Sequence, residues 1–419
     1  MYRAPRGTQD ILPARQPYWQ FVRDTANAVC RRYGFQAIDV PIFEETSLFV
    51  RGVGEGTDIV EKEMYSFRDK GNTEISLRPE FTAGVVRAYV EHGMHTLPQP
   101  VKLFSIGPAF RYERPQAGRY RQLHQLNLEA IGDQDPLVDA EVMSVMWDFF
   151  QGLGLQKLLY QLNSIGCPKC RPTYLVALTD YYRGHPDRLC PDCTRRLEHN
   201  PLRLLDCKAE GCAPLIADAP HSSDHLCSEC ADHFAKLRSY LEALGRPYVV
   251  NHRLVRGLDY YTKTVFEVWA DGIGAQNAIC GGGRYDGLVE ELGGHPTPGL
   301  GVASGLERVI LFMQQQGIEP PRPRDPLAFF AYLGEAAKLE SLRLMQQARA
   351  AGLFVECAFG DRSAKAQLKA AGRTGARYAV IIGENELAKA TATVRSMTAE
   401  GQEDVPLASL VDWLRARCD

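Results

Sequence analysis

The chain has 419 residues, 45% of them hydrophobic and 24% charged, ordinary values for a globular protein with real cores in two or three domains. Its formal net charge of −3 excludes wholesale coating of nucleic acid, though not a local basic track. No apolar run is long enough to span a bilayer and the opening residues carry no apolar signal region, so the expectation is a soluble cytoplasmic protein.

In chain order, Pro17 to Tyr33 reads as an amphipathic helix, with Tyr18, Val22, Ala26, Val29 and Tyr33 spaced for one face. Phe35 to Glu44 follows as an extended segment in which Pro41 keeps Val40 out of the helical region. Runs at 73–78 and 101–107 predict adjacent strands, and Asp135 to Leu153 a helix. This is no clean βαβ series, so the expected core is α+β: an antiparallel sheet with helices around it. Residues 166–246 change character, rich in cysteine and arginine with helical stretches at 172–182 and 229–244, and read as an inserted module. Strand-like sequence resumes at Tyr248, and segments 264–270 and 299–304 complete the main sheet. The proline-rich stretch 319–326 is a semi-rigid linker. Beyond it come strand 327–333, helix 335–351, strand 353–358, helix 362–371, strands 378–382 and 390–396 and helix 406–417, a three-layer α/β domain. The expected domains are therefore 1–325, with 166–246 inserted in it, and 326–419.

Residues 110–129 are the most informative. After Tyr120 the run alternates: Leu126, Leu128 and Ala130 on one face, Arg119, Arg121, Leu123, Gln125, Asn127 and Glu129 on the other. A solvated face has no need of arginines at one end and an amide plus a carboxylate at the other; a nucleoside triphosphate plus an amino acid fits that gradient. Glu80 and Thr82, where a strand gives way to a helix, suit an ammonium group, although Thr82 also suits a helix cap. Leu254 to Thr262 brings an arginine and two tyrosines, and Gly281 to Asp286 joins Gly299 to Arg308 in a glycine-rich pair that lets backbone approach a ligand. Arg308 falls in the first turn of a helix, whose positive end favours phosphate. The spacing of the glycines at 299–305 does not suit a dinucleotide-binding turn.

Eight of the twelve cysteines lie between Cys167 and Cys230. With no secretion signal, disulfides are not expected. Spacing groups Cys167, Cys170, Cys190 and Cys193 as one four-thiolate zinc site and Cys207, Cys212, Cys227 and Cys230 as a second; reduced free thiols are the alternative. In the last domain Arg362, Lys365 and Lys369 share a helical face that Arg373 and Arg377 extend, with no acid between them. Such faces are often merely solvated, but neighbouring cations repel unless something anionic covers them.

These segments resemble the histidyl-tRNA synthetase family of class II aminoacyl-tRNA synthetases. Phe110 to Gln122 looks like the class II motif 2, Gly301 to Arg308 like motif 3, and Gly34 to Glu44 like the motif 1 dimer element, while Leu254 to Tyr261 and Gly281 to Asp286 look specific to the histidine enzymes. The resemblance implies a cytoplasmic homodimer that joins L-histidine to tRNA(His) through histidyl-adenylate, using ATP with Mg2+. Arg111 would hold the α-phosphate with Arg256 opposite it, Glu113 the adenine amino group, and Arg119 and Arg308 the γ-phosphate. Glu129 and Tyr261 would read the imidazole, with Gln125, Tyr260 and Tyr285 shaping the pocket and Glu80 and Thr82 binding the α-amino group. Gln116 would meet the acceptor end of the tRNA, with Arg188, Arg195, Arg196 and Arg203 of the module reaching toward the same stem, and the basic face at 362–373 would meet the anticodon end. Where the family often has a phenylalanine stacked on adenine, this chain has Leu123. A histidine-sensing regulatory paralogue is the rival; it lacks the C-terminal domain and usually loses phosphate-binding arginines, whereas Arg111, Arg256 and Arg308 are all present here.

Overall fold

The alternating run around Leu126 lies in the middle of an eight-stranded sheet. The computed structural model describes residues 2–116, 118–270 and 278–418. In spatial order the strands are Gln36–Ala37, Val101–Phe110, Gln122–Ile131, Gly299–Gly305, Ala278–Arg284, Thr262–Ala270, Leu158–Ser164 and Tyr248–Val250. The six central strands pair antiparallel, as expected, and a short parallel strand is added at each edge.

One face of this sheet is dry. Leu126, Leu128 and Ala130 bury against helices Gln16–Arg32, Pro136–Gly152 and Leu306–Gln315, which contribute Trp19, Phe149, Phe150 and Ile310 among others. Truncating one such aromatic to alanine costs about 3–5 kcal/mol. The N-terminus of Pro136–Gly152 is fixed by Asp135, whose carboxylate accepts the Leu137 N–H at 2.8 Å. It is fixed again by Arg284, fully buried, whose guanidinium donates to the Asp133 and Asp135 carbonyls and pairs with Asp139 at 2.6 Å. Burial raises the Asp139 carboxyl, but Arg284 and His233 together outweigh it and hold the group below its ordinary value. Asp139 also meets His233 of the insertion at 3.2 Å, so the module's last helix, Ser228–Ala243, is keyed to the sheet through one buried charge network.

The run at 73–78 departs from expectation. Strand Glu74–Leu77 does not neighbour Val101–Phe110; it is the centre of a separate three-stranded sheet with Phe43–Glu45 and Tyr65–Arg68. Its Ser76 hydroxyl is bound to Thr46 and Ser66 at 2.8 and 2.7 Å, a polar arrangement unsuited to the large sheet's apolar layer.

Contacts divide the chain into two compact units, Met1–Pro321 and Arg322–Asp419. The second has a five-stranded sheet in the order Val355–Cys357, Ala328–Tyr332, Tyr378–Ile382, Thr391–Ser396, Gln402–Pro406. Phe330, Val380 and Ile382 pack under helices Glu335–Ala350 and Leu410–Arg415, while Phe329 and Ala379 face Ala371 of helix Ala364–Thr374 on the other side, giving the expected three layers. Two boundaries are corrected. The predicted helix 406–417 shrinks to Leu410–Arg415 because Gln402–Pro406 pairs as an edge strand. The predicted helix 362–371 begins at Ala364, since the Ser363 hydroxyl accepts the Ala366 N–H and caps it, leaving Arg362 ahead of the helix. Among the described residues no helix is long and apolar enough to cross a membrane.

Candidate active site

The other face of the large sheet carries a cavity of about 520 Å³. Pairing register sets the rows of its floor, lined by Gln125, Gly305, Ala303, Gly281 and Glu267, and of the buried strand surface that continues inward from it. Gln125 faces Gly305; Asn127 faces Ala303, which faces Gly281, which faces Glu267; Glu129 faces Gly301, which faces Gly283. Successive rows are two residues apart, so Leu123 to Glu129 spans about 20 Å at 3.3 Å per residue. The glycines matter because side chains from elsewhere lie over them. A Cβ at Gly281 would strike the Arg256 guanidinium, and one at Gly301 the Glu129 carboxylate and the Tyr285 ring.

The outer end of the cavity is lined by Arg111, Glu113, Arg119, Leu123, Gln125, Arg256 and Arg308. The strand pair Val101–Phe110 and Gln122–Ile131 presents the connecting loop, whose tip is closed by Gln116 and Arg119 exchanging backbone hydrogen bonds at 2.9 and 3.2 Å. Gln116 itself is exposed. Arg111 is steered by donating from Nε to the Pro79 carbonyl at 2.8 Å. Arg119 meets Glu113 at 3.5 Å, and Arg308, the third residue of helix Leu306–Gln315, donates to the Ala278 carbonyl at 2.7 Å. Burial and the nearby Arg119 both work against the charge on Arg308, a conflict that an anion between them would relieve. Arg121, expected on the same face, is diverted: its guanidinium lies 3.7 Å from the Tyr112 ring centroid and bonds the Glu113 carbonyl instead.

Beyond Gln125 the residues are buried. The Glu129 carboxylate accepts from the Thr82 hydroxyl at 2.7 Å and from the Tyr285 hydroxyl at 2.5 Å. Burial pushes its carboxyl up to about 8; the two hydroxyls pull the other way and the nearby Glu80 adds to the rise. Glu80 accepts the Thr82 and Ala83 N–H groups at 2.6 and 2.9 Å, so Glu80, not Thr82, satisfies the N-terminus of helix Thr82–Glu91. Burial raises Glu80 as well, against those two N–H groups. Tyr260 and Tyr261 are buried beside them, their ring centroids 4.6 Å apart, with Tyr285 5.8 Å from Tyr260. Gln125 Oε1, Asn127 Nδ2 and Arg256 Nε are buried with no hydrogen-bond partner among the described residues, a cost that a bound ligand or ordered water offsets.

The sequence pattern overlooked Glu267. It accepts from Arg256 Nη1 at 2.6 Å and from Trp269 Nε1 at 2.9 Å, and so aims Arg256 across Gly281 into the cavity. The visible signal was a carboxylate in a strand, Thr262–Ala270, that is otherwise largely buried.

Elsewhere, Lys365, Lys369 and Arg373 recur along one face of helix Ala364–Thr374 and, with Arg362, are exposed. The eight cysteines do cluster in two fours, but not as their order suggests. Cys167 and Cys170 meet Cys227 and Cys230, and Cys190 and Cys193 meet Cys207 and Cys212. The grouping by sequence neighbours is therefore corrected: the insertion folds back so that its two ends come together and its middle closes separately. Arg196 and Arg203 of that middle segment reach Asp58 at 3.7 and 3.4 Å, and Arg203 lines the cavity rim. Arg188 and Arg195 take no part in the cavity lining.

A family model described as histidyl-tRNA synthetase matches residues 7–167 and 200–309, and one described as an anticodon binding domain matches 328–417. Similar proteins include the histidine–tRNA ligase of Pelotomaculum thermopropionicum, 54% identical over 99% of this chain and 97% of that one, and that of Dehalococcoides mccartyi, 52% identical over 98% of each. Among solved structures, apo histidyl-tRNA synthetase of S. aureus superposes with a TM-score of 0.85 at 37% identity, covering 99% of this chain and 100% of the other. The fold, its cavity and these matches agree: the chain belongs to the histidyl-tRNA synthetase family, and its activity is that of a histidine–tRNA ligase.

Proposed function

We propose that the cavity binds ATP bent across its outer end and histidine at its buried end, and that the fixed guanidinium groups between them carry the adenylation step. Arg111 and Arg256 flank the α-phosphate, Arg119 and Arg308 take the γ-phosphate, and Glu113 accepts from the adenine amino group, with Leu123 against the base. Magnesium enters with the triphosphate as part of the substrate. Glu80 and Thr82 hold the α-ammonium group; Glu129 and Tyr261 pair with the two imidazole nitrogens, and Gln125, Tyr260 and Tyr285 shape the walls. A neutral imidazole offers one donor and one acceptor, so a site with a partner for each rejects isosteres that leave those partners unpaired.

Chemically, the histidine carboxylate is already ionised at neutral pH, so no general base is needed. It attacks the α-phosphorus, negative charge grows on the phosphoryl oxygens, and pyrophosphate leaves. Arg256, aimed by Glu267, and Arg111, steered by the Pro79 carbonyl, meet that charge without reorganising. The 3′-hydroxyl of the terminal adenosine of tRNA(His) then attacks the adenylate carbonyl, giving histidyl-tRNA and AMP. Gln116 contacts the acceptor end, and Arg362, Lys365, Lys369 and Arg373 contact phosphates at the anticodon end. We read 1–325 as the catalytic domain, 166–246 as its insertion with structural zinc, and 326–419 as the anticodon-binding domain of a cytoplasmic homodimer.

The observation that carries this reading is the convergence of Arg111, Arg119, Arg256 and Arg308 on one cavity whose floor leads to the buried Glu129. Histidine-dependent exchange of labelled pyrophosphate into ATP tests it. Arg256→Ala should lower the exchange rate by ~100-fold or more, the scale of losing one preorganised oxyanion partner. Unchanged exchange in that variant, or exchange driven equally by other amino acids, sinks the assignment.

A further inference from the structure

We propose that the insertion binds two zinc ions in nested tetrathiolate sites, an outer one formed by Cys167, Cys170, Cys227 and Cys230 and an inner one formed by Cys190, Cys193, Cys207 and Cys212. This extends the metal part of the reading above and is independent of its histidine chemistry. Within each set every sulfur lies within 4.8 Å of the others. The Sγ separations are 3.8 Å for Cys167–Cys170, 3.9 Å for Cys167–Cys227, 3.8 Å for Cys170–Cys230 and 3.7 Å for Cys190–Cys207. A tetrahedral zinc with Zn–S bonds of ~2.3 Å requires sulfur–sulfur edges of ~3.8 Å. Paired disulfides would instead put two sulfurs at ~2.05 Å, and all eight cysteines are free.

The backbone is arranged for thiolates. In each pair one cysteine stands immediately before a helix: Cys170 before Arg171–Arg183, Cys190 before Pro191–His199, Cys212 before Ala213–Ala217 and Cys227 before Ser228–Ala243. Sulfur accepts backbone N–H in both sets: Cys170 Sγ from Cys167 at 3.3 Å, and Cys190 Sγ, Cys207 Sγ and Cys212 Sγ from Cys193, Ala209 and Cys190, each at 3.4 Å. Such donors disperse the charge of a bound tetrathiolate and orient its ligands. Gly166 has φ +71° and a Cβ there would sit 2.9 Å from Cys170 Sγ, so the chain enters the outer set where only glycine leaves room.

The two sites have different structural tasks. The outer set joins the segments through which the chain leaves and re-enters the large sheet. It lies behind the histidine end of the cavity: Arg171, next to Cys170, donates to the Tyr261 carbonyl at 2.5 Å, and Lys263 donates its N–H to the Gly166 carbonyl at 2.9 Å. The inner set closes the distal lobe, whose Arg196 and Arg203 hold Asp58 at the cavity rim.

Elemental analysis and native mass spectrometry of the full chain, purified with zinc present and without chelator, should give two zinc ions per chain; none or one overturns the proposal. A Cys170→Ser/Cys230→Ser double variant should keep one zinc, because both changes fall in the outer set. Retention of two, or loss of both with helical circular dichroism intact, overturns the nesting. The unmutated chain supplies a second measurement. After partial chelation to a one-zinc species, alkylation should label either the outer four cysteines or the inner four as a block, whereas joint labelling of Cys167, Cys170, Cys190 and Cys193 refutes the grouping. Pyrophosphate exchange is read on the same samples, so failure of the zinc count and failure of the histidine reading are separately visible.

Discussion

Glu129→Gln is the substitution that most directly interrogates the imidazole end. Burial pushes the Glu129 carboxyl up to about 8, so near neutrality its protonated form prevails. Free imidazole loses its proton near pH ~6.5. The proposed complex holds one titratable proton beyond the ring's own N–H, carried on Glu129 and shared with one ring nitrogen while the N–H of the other meets Tyr261. Below about 6.5 the separated partners carry two protons and one must be expelled; above about 8 they carry none and one must be taken up. Histidine affinity should therefore be level between those values and fall about tenfold per pH unit on either side. Glutamine is close in shape and can still accept from or donate to the ring, but it does not titrate. In the variant the fall set by the carboxyl near 8 should vanish, leaving at alkaline pH only the fall that follows loss of the ligand's own α-ammonium proton, and the lower limb, which belongs to the free ligand, should stay. Losing a charge-assisted hydrogen bond in a buried site costs about 1.5–3 kcal/mol, so the level affinity should drop by roughly 10- to 150-fold. Isothermal titration of histidine into the full chain, without ATP, from about pH 5.5 to about pH 9.5 measures all three quantities. An upper limb that persists at the same pH in the glutamine variant, or a wild-type profile flat through that limb, would refute the shared-proton argument.

Two further outcomes follow from the same structure. Lys365→Gln with Lys369→Gln should weaken tRNA binding and reduce the slope of log affinity against log salt by about 1.5, while histidine-dependent exchange is unchanged; an unaltered slope would make this a solvated face after all. Leu123→Phe should lower the Michaelis constant for ATP by roughly two- to tenfold, the value of an added aromatic contact of about 0.5–1.5 kcal/mol, and no change would mean that position 123 does not face the base.

Where residue pattern and local physics coincide, the sequence was legible. The alternation through Gln122–Ile131 announced both a dry face and a polar one, and the pairing register then placed Gln125 in the cavity lining with Asn127 and Glu129 buried in the rows beyond it. Strand Ala278–Arg284 was not legible, because three consecutive glycines carry no strand signal; Gly281 leaves room for Arg256, Gly283 for Tyr261, and Gly282 for the neighbouring strand at Gly301 and Val302. Gln402–Pro406 escaped for a related reason, an edge strand with two acids and a proline in place of an apolar alternation. The cysteine grouping failed on a different ground. Spacing identifies knuckles of two, but which knuckles meet depends on how some sixty intervening residues fold back, and that is tertiary information. Glu267 was hidden because its importance lies wholly in what it touches, an arginine eleven residues away that crosses a bare strand to reach it.

The bare strip has a consequence for how this pocket is able to vary. Between Glu267 and Glu129 the floor is peptide backbone at Gly281 and Gly301, and the groups that act above it arrive from other strands and loops. One methyl is the smallest alteration available at those positions, and it already lands on a guanidinium or a carboxylate. Gradual reshaping from below is therefore closed at those two glycines, and drift toward a different amino acid is left to Ala303 between the rows and to the overhanging walls.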